Sequence, residues 1–109
     1  MPWLVKFFQN QRGDYPVKEF IIQQDEATYA KILGLIKLLK DNGPLIKPPY
    51  VKKIIKNIWE LRIPGKTAIR ILYCFISNEF YLLHAFKKKS EKTPFKEIEI
   101  AIDRFKNII

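Results

Sequence analysis

The spacing of apolar residues changes along this chain, from a short apolar run to helical spacing and then to the two-residue alternation of β-strands. Residues 4–8 are apolar apart from one lysine and predict a first strand. Apolar residues next recur every three or four positions, which predicts a helix starting at Pro16 with Asp14 near its cap. A second helix is predicted to be capped by Asp25 and ended by Gly43 and Pro44, the latter opening a proline-rich loop. The predicted apolar faces are Val17, Phe20 and Ile21 in the first helix, and Tyr29, Ile32, Leu33, Ile36 and Leu39 in the second.

The second half of the chain follows the pattern of an antiparallel meander. Its strands are predicted at residues 53–56, 58–63, 68–76 and 80–86, with turns at Asn57 and at residues 64–67. In the strand 58–63, Leu61 and its apolar neighbours point one way, whereas Glu60 and Arg62 point the other way.

A last helix is predicted after a basic connection. Thr93 is the expected cap and Pro94 the expected first residue. The predicted apolar face is Ile98, Ala101, Ile102, Phe105 and Ile108, with Glu97, Glu99 and Asp103 facing away. The pattern therefore predicts a single α+β domain over residues 1–109, with two N-terminal helices and a C-terminal helix packed on one face of a small antiparallel sheet. The other face would display Glu60, Arg62 and Arg70.

The composition excludes several classes of protein. Cys74 is the only cysteine, so no disulfide framework or cysteine metal cluster can form, and its apolar neighbours predict a core position. One histidine and few grouped carboxylates leave no metal-ligand set, and four glycines form no phosphate-binding loop, so we expect no metal or cofactor. No charged leader is apparent at the start and no apolar stretch approaches the roughly 20 residues that span a bilayer. We therefore expect a cytoplasmic protein without membrane contact.

Positive charge is concentrated in one part of the sequence. The net charge of the chain is +9, and residues 44–93 contribute +8 of it, from eleven basic and three acidic side chains. Such segregation is typical of proteins that bind polyanions, although a solubilising surface is the plainer interpretation.

Several of these segments resemble the phage-derived, HigB-like branch of the RelE/HigB/ParE toxin superfamily, and the resemblance extends from Trp3 to Phe105. The most specific part runs from Leu82 to Glu99. The segments that carry the resemblance are Ile58-Trp59-Glu60-Leu61-Arg62, Arg70-Ile71-Leu72-Tyr73-Cys74-Phe75, Leu82-Leu83-His84-Ala85-Phe86-Lys87-Lys88-Lys89-Ser90-Glu91-Lys92-Thr93-Pro94 and Glu97-Ile98-Glu99.

This resemblance implies a RelE-like fold and a toxin of a type II toxin–antitoxin module. It further implies a ribosome-dependent endoribonuclease that cleaves translated messenger RNA and so inhibits translation. The implied partners are the ribosome, messenger RNA and a helix-turn-helix antitoxin of the HigA type, through which the toxin would form an oligomer. Two alternatives stay open, a ParE-type inhibitor of DNA gyrase and a nucleic-acid-binding module without catalysis, because fold alone does not determine function.

Metal-independent RNA cleavage defines which residues to seek. The ribose 2′-hydroxyl attacks the neighbouring phosphorus, so the enzyme must move protons and stabilise a crowded, anionic phosphate. The forked guanidinium of an arginine suits the second task, and Arg62 is the strongest candidate, with an ion pair to Glu60 as the structural alternative. Arg70 either faces the same cleft or forms a salt bridge. The predicted catalytic set is Arg62, Arg70, Lys53, Lys87 and His84, and the predicted RNA-binding set is Lys52, Lys56, Lys66, Lys88, Lys89 and Lys92.

Some of these assignments have equal structural alternatives. His84 can serve as an acid or base near neutral pH, but it is predicted to share a face with Leu82 and Phe86, which favours a buried, hydrogen-bonded role just as well. Lys52, Lys53 and Lys56 can supply a general base or only grip phosphates. Tyr73 is expected in the core, whereas Tyr81 can stack on a base or be buried.

Overall fold

A computed structural model describes residues 2–66 and 68–108, and Thr67 of the predicted turn lies outside this range. Over the described residues the chain folds into five strands and three α-helices. The elements are β1 (Leu4–Phe7), α1 (Pro16–Ile22), α2 (Glu26–Asn42), a short 3-10 turn (Gly43–Leu45), β2 (Val51–Ile55), β3 (Ile58–Ile63), β4 (Ile69–Ile76), β5 (Glu79–Lys87) and α3 (Phe95–Lys106). The mixed α and β content is as predicted, and the element boundaries differ from the predicted ones by one or two residues in most cases.

The sheet is mixed rather than antiparallel. Its strand order is β1-β5-β4-β3-β2, in which β2 to β5 form the predicted antiparallel meander, but β1 pairs in parallel with β5. The prediction of a purely antiparallel sheet is therefore wrong for β1. Parallel pairing needs a long crossover, and the two helices and three strands between β1 and β5 provide one.

The helices cover both faces of the sheet. On one face, α1 and α2 bury a cluster with side chains from the sheet that include Leu61, Ile71 and Leu82. On the opposite face, Ala101 of α3 packs on a second cluster that includes Leu72 and Leu83. The prediction that all helices share one face is therefore wrong. The physical reason is that strands β4 and β5 carry apolar residues on both faces, and each face needs a cover.

Helix starts agree only partly with the predicted caps. The Asp25 carboxylate accepts a hydrogen bond of 2.8 Å from the Thr28 N–H, as expected of a cap. By contrast, Asp14 does not cap α1, whose cap residue is Tyr15. Pro94, not Thr93, occupies the cap position of α3, and the Thr93 hydroxyl donates to Glu60 instead of capping the helix.

The predicted apolar faces are buried only in part. Of the predicted face of the last helix, Ala101 is buried, whereas Ile98, Ile102, Phe105 and Ile108 are half-buried. In α2, Ile32, Ile36 and Leu39 are buried, whereas Tyr29 and Leu33 are more than a third exposed, so the predicted stripe was too wide. Cys74 and Tyr73 lie in the core as predicted. Within residues 2–66 and 68–108, no helix is both long and apolar enough to cross a bilayer.

Candidate active site

Two arginines meet on the sheet face that α3 covers in part. Arg62 of β3 and Arg70 of β4 are directly paired across the two strands, so their side chains point to the same face. Next along β3, Glu60 pairs with Leu72, which belongs to the cluster beneath α3, and this fixes the face. As predicted, Glu60, Arg62 and Arg70 share one face of the sheet. The prediction that this face is free of helices and displays Glu60 is wrong, because α3 packs on part of it and only 1% of the Glu60 surface is exposed.

The Glu60 carboxylate lies between these two arginines, but neither arginine Nε atom is close enough to donate a hydrogen bond to it. Its Oε1 atom is 3.9 Å from Arg62 Nε and 3.7 Å from Arg70 Nε, and both distances exceed normal hydrogen-bond length. The anticipated ion pairs with Glu60 are thus present as loose contacts. One carboxylate offsets only one of the two guanidinium charges, so the pair of arginines keeps a net positive charge.

Arg70 is the more buried of the two arginines. Its side chain is 11% exposed, compared with 36% for Arg62. Burial, with a further contribution from the neighbouring Arg62, lowers the pKa of Arg70, although arginine stays protonated at neutral pH. Arg70 donates a hydrogen bond of 3.0 Å to the carbonyl of Ile69, while its Nε atom is the one buried side-chain polar atom in the described ranges that has no hydrogen-bond partner. Buried donors are normally satisfied, so this unpaired Nε, which faces the Glu60 carboxylate at 3.7 Å, is unusual.

Two lysines extend the positive charge of this cluster. Lys88 follows β5 and is close enough to Arg70, Arg62 and Lys52 for their charges to act on it. Burial, followed by the field of Arg70, lowers the pKa of the Lys88 ammonium, which moves it toward the range in which a lysine exchanges protons. Lys52 lies on β2 directly opposite Glu60 and is exposed. We call Lys52, Glu60, Arg62, Arg70 and Lys88 the basic cluster; its composition suits a phosphate group flanked by proton-transfer groups.

Two lysines of the predicted catalytic set lie on the other face of the sheet. Lys53 pairs with Trp59, and its Nζ atom is 5.7 Å from the centre of the Trp59 ring, on the side of α2. Lys87 pairs with Ile69, a residue of the α1–α2 core, and its charge acts on Asp25 at the start of α2. The structure therefore does not bring Lys53 or Lys87 together with Arg62.

The remaining predicted lysines lie in exposed turns and connections outside the cluster. Lys56 is exposed in the turn between β2 and β3, at the opposite end of β3 from Arg62. Lys66 is exposed in the turn that follows β3. Lys89 and Lys92 are exposed in the connection between β5 and α3.

His84 is held beneath α3 rather than in the basic cluster. Its Nε2 atom is 2.8 Å from Glu97 Oε1, and its Nδ1 atom is 3.4 Å from an Arg104 nitrogen that also donates to the Leu83 carbonyl at 2.8 Å. A β-bulge in β5 lets Leu83 and His84 point to the same face, so His84 shares a face with Phe86 as predicted but not with Leu82. The prediction that Glu97 faces away from the core is wrong, because Glu97 reaches back to His84.

Burial lowers the pKa of His84 below its ordinary value of 6.5, although Glu97 opposes the shift. Because the folded state favours the neutral imidazole, His84 stabilises the fold fully above about pH 6.5 and less as pH falls through its lowered pKa. We expect the free energy of unfolding to decrease as the pH falls from 7 to 5. In the His84→Gln variant this decrease should be smaller. Urea unfolding of both proteins across this range measures it; an equal pH dependence in the two would contradict this prediction.

Other candidate chemistry has less support in the geometry. Burial raises the pKa of the Cys74 thiol to about 12, which disfavours a thiolate nucleophile. Burial also raises the pKa of Tyr73. Tyr81 is half-buried and donates to Glu79 at 3.1 Å. In the part of the chain that the structure describes, no three His, Cys, Asp or Glu side chains form a group that could hold a metal ion.

The roles of three polar residues in this region were not predicted from the sequence. Thr93 was expected to cap α3 but instead donates a hydrogen bond to Glu60, and Glu97 was expected to face solvent. No role was predicted for Arg104. It links α3 to β5 through the Leu83 carbonyl, and its Cζ atom lies 5.4 Å from the centre of the Phe8 ring. A Thr-Pro pair is a strong signal for the start of a helix. The sequence therefore does not indicate that the threonine hydroxyl bonds a distant carboxylate.

Comparison with family profiles identifies a family that covers most of the chain. Residues 19–106 match the profile of a family described as "Phage derived protein Gp49-like (DUF891)". No curated protein matches the chain significantly. The matched range includes β2 to β5 and all three α-helices except the first three residues of α1, so it contains the whole basic cluster.

Proposed function

Because this chain belongs to the phage-derived Gp49-like family, a toxin–antitoxin-associated family related to RelE-type toxins, we propose that it is the toxin of a type II module and cleaves messenger RNA on translating ribosomes. We place it in the HigB-like branch, with a RelE-like fold, acting in the cytoplasm. Three features support this: the family match, the concentration of positive charge, and the basic cluster.

The observation that carries the nuclease proposal is the pairing of Arg62 with Arg70 beside a single buried carboxylate. Two guanidinium groups on neighbouring strands can hold the non-bridging oxygens of one phosphate. Arg62 is exposed enough to meet RNA, and Arg70 is buried enough for its charge to be weakly screened. A surface that served solubility alone would not keep a second arginine this buried.

The proposed reaction needs no metal ion. The 2′-oxygen of the ribose bonds to the adjacent phosphorus as its proton leaves, and the bond from phosphorus to the 5′-oxygen of the next nucleotide breaks. That 5′-oxygen takes up a proton, which leaves a 2′,3′-cyclic phosphate and a 5′-hydroxyl. Arg62 and Arg70 stabilise the negative charge on the phosphate as the bonds exchange.

Proton transfer falls to the lysines of the basic cluster in this proposal. Lys88 has a lowered pKa, and Lys52 lies on β2 directly opposite Glu60, so both are better placed than Lys53 or Lys87. The other lysines of the 44–93 segment would grip RNA through its backbone phosphates, which is sequence-independent and sensitive to salt.

The proposed partner that restrains the toxin is an antitoxin of the helix-turn-helix type, and the toxin would form its oligomers through that antitoxin. We expect its acidic segment to cover the basic cluster, with rapid association that weakens as salt increases. Co-purification from the native two-gene segment at low salt, followed by a salt titration of the complex, measures this. Failure to isolate any complex at low salt would contradict the antitoxin proposal.

A translating extract tests the nuclease proposal against its alternatives. Addition of the purified chain should stop protein synthesis and shorten a reporter message only when that message is being translated. An intact message together with inhibition of gyrase supercoiling would identify the ParE-type activity instead. An intact message with RNA binding alone would identify a non-catalytic module.

A further inference from the structure

A hydrogen bond joins the basic connection after β5 to the middle of the sheet. The Thr93 hydroxyl donates to Glu60 Oε2 at 2.5 Å, between residues 33 positions apart. Glu60 lies on β3, whereas the connection leaves β5, and β4 lies between these strands. The connection of residues 88–94 therefore crosses over β4 before α3 begins.

Glu60 uses its two carboxylate oxygens for two different purposes. Oε2 accepts the hydrogen bond from Thr93, while Oε1 faces Arg62 and Arg70 at 3.9 and 3.7 Å. With only 1% of its surface exposed, Glu60 is out of reach of an RNA hydroxyl. It is thus placed to organise its neighbours and not to take a proton from substrate.

The connection is also fixed at its other end. The Lys88 N–H donates to the Ala68 carbonyl at 2.6 Å, just before β4. Between Lys88 and Thr93, residues 89–92 are exposed, and Ser90 bonds only within the connection, to the Lys92 carbonyl at 3.1 Å. Thr93 is therefore the point at which the far end of the connection is tied to the sheet beside the arginines.

We propose that Glu60 and Thr93 are positioning residues, which hold the 88–94 connection across the sheet so that Lys88 faces Arg62 and Arg70. We call the hydrogen bond between Thr93 and Glu60 the tie. Its effect on catalysis through Lys88 rests on the proposed nuclease function, whereas its effect on the connection does not. Loss of the Thr93 hydroxyl leaves a buried carboxylate oxygen without its donor, which the connection can relieve only by moving and admitting water.

Three variants test the tie without requiring activity. Thr93→Val removes the hydroxyl at nearly constant volume, Thr93→Ser keeps it, and Ser90→Ala removes a hydroxyl that bonds only within the connection. The readout is amide hydrogen exchange of Lys88, Glu97 and Ile98, whose N–H groups are hydrogen-bonded at the two ends of the connection. We expect about tenfold faster exchange in Thr93→Val, the size of one lost charge-assisted hydrogen bond, and near-normal exchange in the other two. Unchanged exchange in Thr93→Val, or equal increases in Thr93→Val and Thr93→Ser, would overturn the proposal.

The kinetics of ribosome-dependent cleavage test the positioning of Lys88. Thr93→Val should lower kcat about tenfold with little change in KM, since the exposed lysines still grip RNA, and Thr93→Ser should restore it. Glu60→Gln should lower the maximal rate and keep both limbs of the pH profile, with the limb that reports Lys88 moved to lower pH, because the Glu60 charge raises the pKa of Lys88. Loss of the acidic limb of that profile would instead make Glu60 a general base and overturn its assignment here. If the wild-type chain fails to cleave while Thr93→Val still exchanges faster, the nuclease proposal falls and the tie stands.

Discussion

Replacement of Arg62 by alanine is expected to lower the rate of RNA cleavage at least about 100-fold, the scale on which a transition-state charge stabiliser acts. Arg62 faces the site from β3 with 36% of its side chain exposed, so its truncation opens no core cavity. Arg62→Lys should recover little, because an ammonium group cannot reproduce the two-pronged contact of a guanidinium with phosphate. The measurement is the cleavage rate on translating ribosomes, with circular dichroism to confirm the fold.

A matched control separates this effect from a general loss of charge. Lys18→Ala removes one positive charge from α1, where Lys18 is exposed near Tyr15, and should cleave at a near-normal rate. Ribosome binding by Arg62→Ala should weaken only modestly, because many lysines share that task. A folded Arg62→Ala protein with near-normal cleavage would remove Arg62 from the site, and an unfolded one would show that Arg62 serves the structure instead.

Replacement of Phe80 by alanine is expected to lower the free energy of unfolding by about 3–5 kcal/mol, the usual loss for a buried phenylalanine. Phe80 is 2% exposed, and its ring centre lies 4.5 Å from that of Phe75, 5.8 Å from that of Tyr73 and 6.4 Å from that of Trp3. The truncation removes these contacts and leaves a cavity that rigid strands on both sides cannot close. Urea unfolding followed by tryptophan fluorescence measures the change.

Phe95 provides the control for the Phe80 measurement. It is the same residue type at the start of α3 with 70% of its surface exposed, so Phe95→Ala should change the free energy of unfolding by less than about 0.5 kcal/mol. Similar losses in the two variants would contradict the placement of Phe80 in the core cluster on the α1–α2 face of the sheet.

The face of β3 could be predicted from the sequence because alternation in that strand is uninterrupted. Trp59, Leu61 and Ile63 alternate with Glu60 and Arg62, and a period of two leaves only one buried arrangement. The pairing of Arg62 with Arg70 could not be predicted, because it depends on the register across the turn. The burial of Glu60 also escaped prediction, since it results from Thr93 and the connection that cross above it.

Alternation failed in β5 for an identifiable reason. A bulge opposite Leu72 and Tyr73 places Leu83 and His84 on the same face of the sheet. The β5 residues after the bulge therefore point to the face opposite the one that strict alternation predicts. With strict alternation, buried Leu82 would put Lys88 on the side of α1 and α2, and Lys87 beside the arginines. The bulge exchanges them, and hydrophobicity cannot reveal it because both faces of β5 are apolar. Because both faces of β5 are apolar, the sequence also does not indicate which face α3 covers.

Mapping of the RNA ends produced on translating ribosomes tests the central claim most directly. The wild-type chain should generate new 3′ ends with cyclic phosphate and new 5′ ends with free hydroxyl, within the part of the message that the ribosome occupies. Arg62→Ala should leave almost none of these ends at equal protein concentration, and Lys18→Ala should leave them unchanged. Arrest of translation by the wild-type chain with every message end intact would contradict the claim that this protein is a ribosome-dependent endoribonuclease.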